Sequence, residues 1–84
     1  MNPYIEAMLE LLAKGIYLRY ELNNEECNEL EKIAEIKKIT EKKEEDKFEY
    51  KKEIVFSYNN KLLLFKYIKS FTSNNKTCIV TTNI

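Results

Sequence analysis

The sequence predicts an α+β fold: two N-terminal helices (a helical hairpin) followed by a three-stranded antiparallel β meander. Three observations support this. Apolar residues recur at helical spacing up to residue 47 and alternate at strand spacing after it. The alternating part is centred on Asn59-Asn60, which accepts the left-handed backbone of a two-residue hairpin turn. One Gly and one Pro in 84 residues leave no flexible linker, so residues 1–84 read as one small domain.

The first helix starts at Asn2-Pro3, a capping side chain followed by proline at the first helical position. Tyr4, Ile5, Met8, Leu9, Leu11, Leu12, Ile16, Leu18 and Leu22 form a broad apolar face, so the periodicity predicts one helix from residue 3 to 22. Gly15 falls on that face, where a missing side chain admits a close neighbour. A competing reading stops the helix at Gly15, with Ile16, Leu18, Tyr20 and Leu22 alternating as a strand.

Asn23 and Glu26 have capping-box spacing and open the second helix. Glu25, Glu26 and Glu29 suit its positive end, and Lys42, Lys43 and Lys47 its negative end. Leu30, Ile33, Ala34 and Ile36 form its apolar stripe, continued weakly to Ile39. Glu31 and Glu35 are a like-charge pair four apart. Thr40–Lys47 has no apolar residue and no evident turn former. It reads as a projecting helix end, with a solvated loop as the alternative.

From Phe48 the alternation is clean. Phe48, Tyr50, Ile54, Phe56 and Tyr58 point one way; Glu49, Lys51, Glu53 and Ser57 point the other. A turn at Asn59-Asn60 pairs Phe56 with Leu63, Ile54 with Phe65 and Phe48 with Phe71. On the other face it pairs Glu53 with Lys66 and Val55 with Leu64. A helix over Lys61–Phe71 competes, because Leu64, Ile68 and Phe71 also have helical spacing. Thr72–Lys76 reads as a turn and Thr77–Asn83 as the third strand.

The totals exclude more chemistry than they suggest. Lys and Arg number 14, as do Asp and Glu, but residues 1–47 sum to −4 and residues 48–84 to +4. Such a dipolar chain can offer either end to a charged partner. There is no His, which removes the commonest general base and metal ligand. One Gly leaves no phosphate-cradling loop. The acidic runs at 25–31 and 41–46 lack calcium-loop spacing. The chain is therefore expected not to be an enzyme, and to use no cofactor and no metal.

Cys27 and Cys78 have no metal-site spacing and are expected to be free, partly buried thiols in a reducing cytoplasm. A bond between them, tying the helical half to the last strand, is the alternative. The first residues lack a basic leader, and no stretch is long and apolar enough to span a membrane, so neither a secretory segment nor a membrane partner is expected.

Two surfaces are candidates for function. Val55, Leu62, Leu64 and Ile68 share a face with charged residues, and with Lys66 and Lys69 as rim they form a protein-contact patch. A second copy, a larger partner or the chain's own first helix can cover it. Alternatively, Lys51, Lys61, Lys66, Lys69 and Lys76 with Tyr50 and Tyr67 hold a nucleic acid by charge and stacking. Only Arg19 is Arg, which disfavours base-specific reading. The leading expectation is a small non-catalytic interaction or inhibitor protein that occludes or bridges a larger protein, or pairs with itself as a homodimer. That expectation rests on analogy with compact phage and mobile-element proteins, through size and composition alone.

Overall fold

A computed structural model describes residues 2–84. It is α+β, with two helices interleaved among five strands: helix Pro3–Ala13 (α1), strand Arg19–Leu22 (β1), helix Asn24–Ile36 (α2), then strands Lys38–Glu45 (β2), Glu49–Tyr58 (β3), Lys61–Ser70 (β4) and Lys76–Thr81 (β5). The strands form one antiparallel sheet in the order β1-β5-β4-β3-β2. The helical hairpin followed by a three-strand meander is therefore corrected: a strand stands between the helices and another precedes the meander.

The helix from 3 to 22 is cut short, and the local chemistry shows why. The Asn2 side chain accepts from the Tyr4 N–H at 2.9 Å, and Pro3 follows. Ile5, Met8, Leu9 and Leu12 are buried. After Ala13 the Ile16 N–H reaches back to the Leu11 carbonyl at 2.9 Å and the Gly15 N–H to the Leu12 carbonyl at 3.1 Å. This closure is a Schellman motif with Gly15 at φ +78°. A Cβ on Gly15 would meet nothing within 4 Å, so backbone sign rather than close approach demands the glycine. The chain then reverses and β1 pairs with β5, Arg19 opposite Thr81 and Leu22 opposite Cys78.

The second helix starts as the sequence predicts. Asn23 Oδ1 accepts from the Glu26 N–H at 2.9 Å, and Glu26 Oε1 accepts from the Asn23 N–H at 3.0 Å. It ends at Ile36, and the projecting helix expected over Thr40–Lys47 is replaced by β2. A turn former was present after all. Asp46 Oδ1 accepts from the Phe48 N–H at 2.7 Å and the Glu49 N–H at 2.8 Å, folding β2 back onto β3.

The β3–β4 hairpin has the expected register. Phe56 stands opposite Leu63, Ile54 opposite Phe65, Val55 opposite Leu64 and Glu53 opposite Lys66. Asn59 and Asn60 have φ of 49° and 64°, the left-handed pair that a type I′ turn needs. The competing helix over Lys61–Phe71 is not formed. The third predicted strand is present as Lys76–Thr81 and lies between β4 and β1.

Both helices pack on one face of the sheet. Ile5, Leu9 and Leu12 of α1 and Cys27, Leu30, Ile33 and Ala34 of α2 meet Ile54, Phe56, Leu63, Phe65 and Val80 in one core. Cys27 and Cys78 are bonded, with their Cα atoms 5.9 Å apart, which corrects the expectation of free thiols. The bond joins α2 to β5 through buried sulfurs, in the position of the alternative considered from sequence. Among the described residues no helix lies on the opposite face of the sheet.

Candidate functional site

The open face collects most of the predicted contact patch. Alternation along the strands places Val55 on it, with Leu62, Leu64, Lys66 and Ile68 of β4. Leu64 lies between Val55 and Thr81, and Ile68 between Lys51 and Thr77. Leu64 is only 7% exposed although no helix covers it, because flanking side chains wall it in, whereas Leu62 is 50% exposed. One predicted member is misplaced. Lys69 shares its parity with Leu63, Phe65 and Tyr67, so it stands on the helix-bearing face and is not rim to this patch. One member was missed. Ile79 lies opposite Lys66 and Glu21, and its alternation with buried Cys78 and Val80 was the signal that marks it.

The patch is apolar within a balanced charged frame. Arg19, Lys42, Lys51 and Lys66 share the face with Glu21, Glu44, Glu49 and Glu53. The charges alternate across strands: Lys66 faces Glu53, which faces Lys42, while Lys51 faces Glu44. Antiparallel sheets with one face in water show polar side chains there. Five aliphatic side chains on the open face, with Lys66 between Leu64 and Ile68 along β4, depart from that pattern.

The nucleic-acid set divides. Lys51 and Lys66 point into the open face, and Lys61 lies at the exposed tip of the hairpin. Tyr50, Tyr67, Lys69 and Lys76 come together on the helix-bearing face, at the end of the sheet remote from Asn59-Asn60. The Tyr50 and Tyr67 rings meet edge to face, with centroids 6.0 Å apart. Lys76 Nζ stands 5.4 Å from the Tyr67 ring centroid and donates to Asn28 Oδ1 at 3.4 Å. Burial raises the Tyr67 phenol above its usual value, with the Glu31 charge adding to it.

An ion network that sequence reading missed ties the helix to the sheet. Lys52 is 8% exposed, and its Nζ lies 2.7 Å from Glu35 Oε1 and 3.2 Å from Glu31 Oε1. The like-charge pair Glu31–Glu35 is thus bridged by one ammonium. Glu35 also meets Lys38 at 3.3 Å, and Lys38 meets Glu41 at 3.4 Å, so the network reaches the edge strand β2. The Lys52 hydrogen bond holds the Glu35 carboxyl down at about 2, against an opposing burial effect. For Lys52 burial alone would lower the pKa; the hydrogen bonds it donates to Glu35 and Glu31 outweigh it and raise it. The signal was available: Lys52 lies two residues from both Tyr50 and Ile54, on the core face.

Among the described residues no three His, Cys, Asp or Glu side chains converge as metal ligands. No helix among them is long and apolar enough to cross a membrane. Comparison of the chain with family models, with curated proteins and with solved structures returned no match.

Proposed function

We propose that this chain is a small non-catalytic interaction module that docks a larger protein through the open face of its sheet, occluding or bridging it. One observation supports the reading: Val55, Leu62, Leu64, Ile68 and Ile79 share, around Lys66, the sheet face that carries no helix among the described residues. Their frame of four cations and four carboxylates favours a flat, mixed-charge partner surface over a highly charged one. Lys66 sits at the centre of the patch and supplies register rather than bulk attraction.

The Cys27–Cys78 bond supports an oxidising compartment as the place of action, which revises the cytoplasmic expectation drawn from free thiols. The buried bond also suits a module that must stay folded outside a reducing environment.

The test compares wild type with a Leu62→Glu/Ile68→Glu variant in pull-downs from host extract, with circular dichroism as the fold control. The reading expects a discrete protein captured by wild type and lost with the variant. Identical capture by both proteins overturns it. Sedimentation of the pure protein separates a homodimer: self-association abolished by the same variant would make the partner a second copy.

A further inference from the structure

The helix-bearing face is not covered along its whole length. At the end where β3 begins and β4 finishes, Phe48 is 57% and Phe71 42% exposed. The two stand just beyond the last strand pair, Glu49–Ser70, where the Phe71 N–H donates to the Phe48 carbonyl at 2.7 Å. One row inward Tyr50 faces Lys69, and Lys69 faces Lys76. The next row holds Tyr67, edge-on to Tyr50.

Two features mark this end. Like charges directly opposite on neighbouring strands destabilise a sheet, yet Lys69 and Lys76 are such a pair. Neither is ion-paired to a carboxylate among the described residues, in contrast to Lys38, Lys43 and Lys52. Phe48 and Phe71 beside them are only partly buried, and Lys47 Nζ stands 5.2 Å from the Phe48 ring centroid. Two cations without carboxylate partners, one of them (Lys76) held by Asn28 and the Tyr67 ring, stand at the spacing of adjacent strands among aromatic rings and complement a ligand that carries both anionic groups and flat faces. A backbone of phosphates with splayed bases is that ligand.

We propose that Lys69, Lys76, Tyr50, Tyr67, Phe48 and Phe71 form a binding platform for single-stranded nucleic acid. Lys69 and Lys76 take phosphates, while Phe48, Phe71 and Tyr50 offer faces for bases. The platform spans three strands, about 10 Å, and holds a few nucleotides. It offers no bidentate base reading through Arg, because the chain's one Arg, Arg19, stands on the open face opposite Thr81. It lies on the face opposite the apolar patch, so the two sites are separable by mutation.

The test is fluorescence anisotropy of a labelled ten-nucleotide oligothymidine against the intact, oxidised protein, with sodium chloride varied. The proposal expects log affinity to fall with log salt at a slope of about −1.4, the value for two neutralised phosphates on a single strand. Lys69→Gln/Lys76→Gln, at surface positions that leave the core untouched, should remove measurable binding. Phe48→Ala should weaken it roughly five-fold or more. Leu62→Glu, on the other face, should leave it unchanged. Absence of binding at low salt, or binding retained by the double lysine variant, overturns the proposal. So does equal affinity for duplex DNA or heparin with no effect of Phe48→Ala, which would leave charge alone and no stacking.

Discussion

The two faces of the sheet carry similar numbers of aliphatic side chains and put them to different use. On the covered face Ile54, Phe56, Leu63, Phe65 and Val80 are fully buried against two helices, and a disulfide and an ion network fasten the layers together. On the open face Val55, Ile68 and Ile79 are half-buried and Leu62 is exposed, with no helix among the described residues over them. Alternation along a strand decides which face a residue joins, but only a second layer turns apolar character into stability. Apolar residues without that layer are free to contribute to binding.

This contrast can be broken most severely at the disulfide. The bond closes a loop spanning 51 positions, and in the chain-entropy model its loss costs about 4 kcal/mol. A Cys27→Ala/Cys78→Ala variant should melt far below wild type, and reductant should lower the wild-type melting temperature under denaturing conditions. A variant of wild-type stability would show that packing alone fastens α2 to the sheet.

The ion network is expected to matter less. Lys52→Met keeps the volume but leaves Glu31 and Glu35 as neighbouring unbridged carboxylates. Both are more than a third exposed, so solvent screening limits the cost to about 1–2 kcal/mol, read by urea denaturation. The same network sets an acid limit. A carboxyl whose folded pKa lies below its unfolded value stabilises the fold above the unfolded value, and that contribution disappears as pH falls through the folded one. Glu35 drops from a usual 4.5 to about 2, so its contribution is present above pH 4.5 and lost between there and about 2. Glu35→Gln should be less stable at neutral pH and should flatten the acid limb of the stability curve. An acid limb unchanged by Glu35→Gln would place the titration elsewhere.

The smallest effect is expected on the open face. Leu62→Ser should change folding stability by no more than about 0.5 kcal/mol, measured by the same denaturation, because half of the side chain is already in water. A loss near that of a core truncation would mean that this face is part of the core and is not available to a partner.

How far the fold was legible depended on whether each element's signal was local. The α2 start was fully legible, since Asn23 and Glu26 satisfy each other within four residues. The β3–β4 register was legible too, because a two-residue turn and two matched faces admit one pairing. β2 was not. Apart from Ile39 at its irregular start, its residues, Lys-Ile-Thr-Glu-Lys-Lys-Glu-Glu, are polar on both sides, as edge strands are, so no period appears. β1 is four residues long and continues the apolar run of α1, so the helical reading absorbed it until the left-handed Gly15 is counted.

Of the candidate surfaces, the apolar patch was readable by parity, and Lys69 was lost by grouping it through sequence proximity rather than parity. The cluster of Tyr50, Tyr67, Lys69 and Lys76 spans three strands and needed the β4–β5 register, which no turn in the sequence specifies. By itself the sequence determined the helix N-caps, the left-handed turn at Asn59-Asn60, the hairpin register and the division of β3 and β4 into two faces. All of these follow from steric limits and hydrogen bonds within a few residues of chain. Only the tertiary structure decided that 19–22 and 38–45 are strands, that both helices choose the same face, and that Cys27 meets Cys78. β1 takes its hydrogen bonds from β5 at the other end of the chain, β2 shows no period that marks it before β3 pairs with it, and a disulfide requires two backbones to come within about 6 Å, a proximity that no local pattern encodes.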